Sequence, residues 1–131
     1  MFKTAVIGVG YLGRFHAQKF ASIEESELIG VVDTNPEQGK KVSEELDVPF
    51  YLNFEEIINK VDAVSIAVPT VHHYKSAKAF LANGVHVLLE KPFAEKVEEA
   101  EELAQLSSDN NVCLQIGHLE RFNPVFAEFQ Q

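Results

Sequence analysis

The 131-residue sequence holds one cysteine, one methionine and no tryptophan, and its eleven lysines and arginines face twenty aspartates and glutamates. Cys113 has no second cysteine with which to form an internal disulfide, and its setting in the run VCLQI suits a small buried core residue rather than a nucleophile. The net charge of −9 repels phosphate backbones and anionic membrane surfaces, so neither a nucleic acid nor a membrane is expected as a partner. Apolar stretches reach only about six residues against the ~20 that cross a bilayer, and Met1-Phe2-Lys3 leads into a strand instead of a signal peptide. A cytoplasmic protein is expected. There is no H-E-x-x-H pattern, cysteine pair or carboxylate ladder, so no metal site is expected either.

What remains is an ordinary globular composition, 46% hydrophobic and 24% charged, in a length that suits one domain. Apolar runs rich in Val and Ile occupy residues 4–9, 28–32, 63–68, 85–89 and 112–116, with a weaker one near 49–52. They do not alternate strictly, which suits parallel strands covered on both faces. Helical patterns lie between them. One carries Leu12, Phe15, Phe20 and Ile23; one starts at the cap Asn35-Pro36; a short one follows Asn53; one spans 73–82 and stops at Asn83-Gly84. A further pattern over 96–108 has an acidic run, Glu98, Glu99, Glu101 and Glu102, expected as a solvated helix face. Strand alternating with helix predicts an α/β fold with a doubly wound, mainly parallel sheet. Asn123-Pro124 begins another helix, inside which the sequence breaks off near 124–131, so a C-terminal domain is expected to follow the 1–131 unit.

The first strand runs into Gly8-Val9-Gly10-Tyr11-Leu12-Gly13, a G-x-G-x-x-G pattern with a helix after it and Asp33 twenty residues beyond its last glycine. Gly8 permits a tight turn, Gly10 a close approach of backbone to a pyrophosphate, and Gly13 close packing of helix on strand. The helix N-terminus offers free N–H groups to the anion. Asp33 is placed to accept the adenosine ribose hydroxyls. A carboxylate there repels a 2′-phosphate, and Thr34-Asn35 supplies no arginine to hold one, so NAD is favoured over NADP.

Ligands of an open parallel sheet bind beyond the carboxyl ends of its strands. After the glycine loop and Asp33, those ends carry Pro69-Thr70 with His72 and His73, then Glu90-Lys91-Pro92, then His118. His73 is favoured over His72 because the next helix starts there; His16 and His86 are read as structural. Pro92 biases Lys91 toward an extended backbone, which directs its side chain out of the strand end. A lysine there could exchange a proton with a substrate hydroxyl, with Glu90 orienting it.

Together, G-x-G-x-x-G, the strand-end Asp, V-P-T-x-x-H and G-V-H-V-L-L-E-K-P resemble the Gfo/Idh/MocA family of nicotinamide-dependent sugar and inositol oxidoreductases, over essentially all of residues 1–124. The resemblance implies a Rossmann domain that binds NAD or NADP. It implies cofactor contacts from Gly8, Gly10, Tyr11, Leu12, Gly13, Asp33, Pro69, Thr70, His73, Glu90, Lys91 and Pro92, with Lys91 assisting hydride transfer at a sugar carbon. The segment I-G-H-L-E-R-F-N-P resembles members that oxidise the 3-hydroxyl of UDP-N-acetyl-hexosamines, which would place His118 and Arg121 near substrate; Arg121 could equally pair with a nearby acid. The family also implies a sugar or UDP-sugar substrate, a second substrate-binding domain and a homo-oligomer. A dinucleotide-binding module without catalysis, used for sensing or assembly, is the alternative.

Overall fold

The structure, a computed structural model, describes residues 2–68, 73–89 and 96–116. Among the described residues six strands form one sheet: β1 (Phe2–Ile7), β2 (Ser26–Val32), β3 (Phe50–Tyr51), β4 (Ala63–Ile66), β5 (His86–Leu89) and β6 (Leu114–Ile116), in the order β3-β2-β1-β4-β5-β6. Every pairing is parallel. Helices α1 (Tyr11–Ser22), α2 (Pro36–Leu46), α3 (His73–Ala82) and α4 (Val97–Asp109) make the crossovers, and a 3₁₀ turn (Phe54–Glu56) follows β3. This is the expected doubly wound architecture. Strands β1 and β4 end two residues before the apolar runs that announced them, at Ile7 and Ile66, because Gly8 and Ala67 already belong to the loops above the sheet.

Successive strand residues serve opposite faces. Ala5, Ile7, Val64, Ile66, Val87 and Leu89 join Phe80, Leu81 and Leu103 in one core, while Val6, Val31 and Leu88 join Ala17, Phe20 and Val42 in the other. Both faces are apolar, which is why the strands read as continuous hydrophobic runs. Ser65 interrupts that pattern and is fully buried, with its hydroxyl bonded to Nδ1 of buried His16 on α1. His86 is structural too: its Nδ1 accepts the Cys113 N–H at 2.8 Å, next to the bond from the Val87 N–H to the Cys113 carbonyl, and so ties the β6 end to β5. Cys113 itself is half-buried against the second core.

The ends of the helices follow their local chemistry. Asn35 caps α2, its Oδ1 accepting the N–H groups of Glu37 at 3.0 Å and Gln38 at 3.3 Å, ahead of Pro36 at the first helical position. Past the end of α3, Gly84 takes φ +77, a left-handed conformation that suits glycine. On α4 Glu98 and Glu101 of the acidic run are exposed and Glu99 and Glu102 partly exposed, and Glu102 departs from a purely solvated face. Glu102 accepts the Tyr74 hydroxyl at 2.6 Å and the Lys78 ammonium at 2.9 Å, both on α3. Those bonds hold its carboxyl below the usual range, the Tyr74 bond contributing most.

The sheet reverses its winding between β1 and β4. Two crossovers therefore leave a crevice at the carboxyl ends of these strands, where α1 and α3 diverge.

Candidate functional site

A cleft of about 530 Å³ opens there. Its floor includes Gly8, Gly10 and Val32, with Asp33 and Thr34 beyond β2, Leu52–Glu55 beyond β3, Ala67 and Val68 beyond β4, and Lys75 and Ser76 on α3. The lining is mainly apolar with a few polar groups, as small-molecule sites are.

Each glycine of the loop has its own physical reason. Gly8 has φ +88, and a Cβ there would also lie 2.8 Å from Val68 Cγ1. At Gly13 a Cβ would fall 1.6 Å from the Gly8 carbonyl oxygen, so any side chain would push α1 off the loop. Gly10 differs from both. A Cβ there would meet nothing within 4 Å, and its φ is −66. Neither packing nor backbone angle requires glycine at position 10; the open space in front of it is what a side chain would fill.

The N-terminus of α1 is bare in the same place. Gly10 provides no side-chain cap and the first turn has no acidic residue, whereas α2 has both Asn35 and Glu37. An uncapped N-terminus leaves N–H groups and the positive end of the helix dipole unanswered. With a glycine cradle in front, that arrangement fits a pyrophosphate.

Asp33 is half-buried at the mouth of the cleft. Its Oδ2 accepts the Val9 N–H at 2.9 Å and its Oδ1 the Asn35 N–H at 2.8 Å. A carboxylate has about four lone-pair sites, so capacity for ribose hydroxyls remains. Lys75 is the only cation among the described lining residues, set against Asp33 and Glu55. The Arg14 guanidinium, on α1, is held by Glu45 of α2 at 2.8 Å.

The structure thus brings Gly8, Gly10 and Asp33 together on the cleft and sets Gly13 behind them. Tyr11 and Leu12 sit at the start of α1 with exposed side chains, Tyr11 at 95%, and are not among the lining residues. His73 is buried, its Nε2 donating to the Val68 carbonyl at 2.7 Å, and its Nδ1 has no hydrogen-bond partner among the described residues. Pro69, Thr70, His72, Glu90, Lys91, Pro92, His118 and Arg121, like the helix from Asn123, lie outside the described residues.

Several contributors carried no motif. The wall made by Leu52, Asn53 and Phe54 follows a strand of two residues, and only its place after a strand end could have marked it. Gln38, on α2, donates from Nε2 to the Val9 carbonyl at 2.8 Å. Among the described residues no cluster of His, Cys, Asp and Glu could hold a metal ion, and no helix is long and apolar enough to cross a membrane.

Comparison with known proteins agrees with this fold. The UDP-N-acetylglucosamine 3-dehydrogenase of Acidithiobacillus ferrooxidans is 43% identical over 129 residues, covering 98% of this chain and 41% of that protein. Its crystal structure superposes with a TM-score of 0.86 at 42% identity, over 98% of this chain and 42% of the other. The scyllo-inositol dehydrogenase of Lactobacillus casei, solved with NAD(H) and scyllo-inositol, superposes with a TM-score of 0.84 at 27% identity, over 100% of this chain and 40% of the other. The chain therefore spans about two-fifths of the length of these relatives. Residues 2–118 match the Gfo/Idh/MocA model, described as an oxidoreductase family with an NAD-binding Rossmann fold, and the chain belongs to that family as its NAD-binding domain.

Proposed function

We propose that this chain is the cofactor-binding part of an NAD-dependent dehydrogenase that acts on a hydroxyl of a sugar nucleotide. The observation that carries the reading is the bare N-terminus of α1 behind Gly10, beside a carboxylate at Asp33. Gly8, Gly10 and Gly13 would shape the pyrophosphate site, with Tyr11 and Leu12 at its rim. Asp33 would hold the adenosine ribose and favour NAD over NADP. Pro69, Thr70, His73, Glu90 and Pro92 would continue the cofactor site along the strand ends.

Bound NAD supplies a hydride acceptor at nicotinamide C4. Lys91 would take the proton from the substrate hydroxyl at Nζ as the carbinol carbon is oxidised, and Glu90 would orient it. A UDP-sugar is favoured because of the likeness to the UDP-N-acetylglucosamine 3-dehydrogenase, with His118 and Arg121 toward the substrate. The net charge of −9 speaks against a nucleic-acid partner. A cytoplasmic homo-oligomer completes the reading.

The test is NAD reduction by UDP-N-acetylglucosamine and other sugars, in the protein as its gene encodes it. Changing Lys91 to Met should lower turnover by about 10²- to 10⁴-fold, well beyond any accompanying change in NAD affinity. Turnover within a few-fold of wild type would remove Lys91 from the chemistry. NAD binding without reduction by any sugar would favour the non-catalytic module.

A further inference from the structure

Val9 stands between two glycines, Gly8 and Gly10, so the peptide units on either side of it have unusual freedom to rotate. Both are nevertheless held. The Val9 N–H is taken by Asp33 at the end of β2, and the Val9 carbonyl by Gln38 in the first turn of α2. A carbonyl can only accept, so the Gln38 amide must present its N–H to it.

The planar trans peptide converts these two grips into a direction. In each unit the C=O and the N–H point opposite ways. Holding the Val9 N–H toward Asp33 turns the Gly8 oxygen the other way, to the side where it lies against Gly13. Holding the Val9 oxygen toward Gln38 turns the Gly10 N–H away from α2. That N–H has no partner among the described residues, and Gly10 lines the cleft.

We infer that Gln38 is a positioning residue of the dinucleotide site, which aims the Gly10 N–H at the anion by holding the Val9 carbonyl. It acts from α2 through the loop and needs no contact with the cofactor. Gln38 is itself well anchored: its backbone N–H is bound by Asn35, whose own N–H is bound by Asp33. Asp33, Asn35, Gln38 and Val9 thus form one ring of contacts, in which Asp33 serves both the ribose and the loop.

This inference rests on the cleft being the NAD site, and the test separates the two. Gln38→Met and Gln38→Leu keep bulk and remove the donor. Affinities for NAD, ADP-ribose and adenosine would be measured by titration and ligand-observed NMR, with thermal unfolding of the ligand-free protein alongside. The expected result is about three- to tenfold weaker NAD and ADP-ribose, the loss matching one hydrogen bond, with adenosine unchanged because its ribose depends on Asp33. Equal weakening of all three, or no change in any, would overturn the role of Gln38. Asp33→Ala should weaken all three ligands; if it weakens none, the placement of the NAD site itself is wrong.

Discussion

The carboxylate of Asp33 accepts the backbone N–H of Val9 at 2.9 Å, so the end of β2 holds the glycine loop that follows β1. These residues are 24 apart in sequence and meet because β1 and β2 are parallel neighbours. The side chain expected to bind ribose is therefore also a loop restraint, and both roles enter its substitution.

Replacing Asp33 with Asn removes the charge and half of the acceptor capacity. Charged hydrogen bonds contribute about 1.5–3 kcal/mol each, so NAD affinity should fall by roughly 10- to 100-fold. The preference for NAD over NADP should narrow as the repulsion of the 2′-phosphate is lost. Parallel titrations with the two cofactors check this, and an unchanged preference would assign discrimination to another residue.

Alanine at Gly10 and at Gly13 should separate binding from folding. Gly13→Ala puts a methyl group 1.6 Å from a carbonyl oxygen and should cost more than about 3 kcal/mol or prevent folding. Gly10→Ala meets no protein atom within 4 Å, so its unfolding temperature should stay near that of wild type while NAD affinity drops at least about tenfold. Thermal melts with and without NAD distinguish the two.

His16 and Ser65 make a buried polar pair beneath α1. His16→Leu keeps the bulk but strands the Ser65 hydroxyl, at a cost of about 1–3 kcal/mol. Denaturant unfolding should report that loss, and His16→Leu with Ser65→Ala should recover part of it. A single mutant as stable as wild type would mean that the hydroxyl finds another acceptor.

The Glu102 carboxyl is held below its usual range by Tyr74 and Lys78. A lowered folded-state value means that the contribution to stability is complete above the unfolded carboxylate range, about pH 4.3, and is lost as pH falls through the lower folded value. Wild type should therefore melt higher than Glu102→Gln at neutral pH, and the two should converge as pH falls through the lowered folded value. The effect is small because the pair is solvent-exposed, and salt should reduce it. Curves that stay parallel down to acid pH would show that Glu102 ties α3 to α4 without its charge.

The parallel sheet and its helices were legible because apolar strands and capped helices are local patterns. Asn35-Pro36 and Asn83-Gly84 act within one turn of chain, and the strand runs needed no knowledge of their partners. The acidic run was legible only on average: Glu102 departs from it because α3 brings Tyr74 and Lys78 beside it, which no spacing within α4 reveals.

The candidate site divides in the same way. Gly8, Gly10, Gly13 and Asp33 could be identified from sequence because the demands of tight turn, close approach and strand-end acid fall at set intervals along the chain. Tertiary structure alone decided that Asp33 holds Val9, that Gln38 takes the other side of the same residue, and that Leu52–Phe54 wall the cleft. These contacts join three strand ends and the start of a helix, and their geometry exists only once the parallel sheet has brought those ends to one edge.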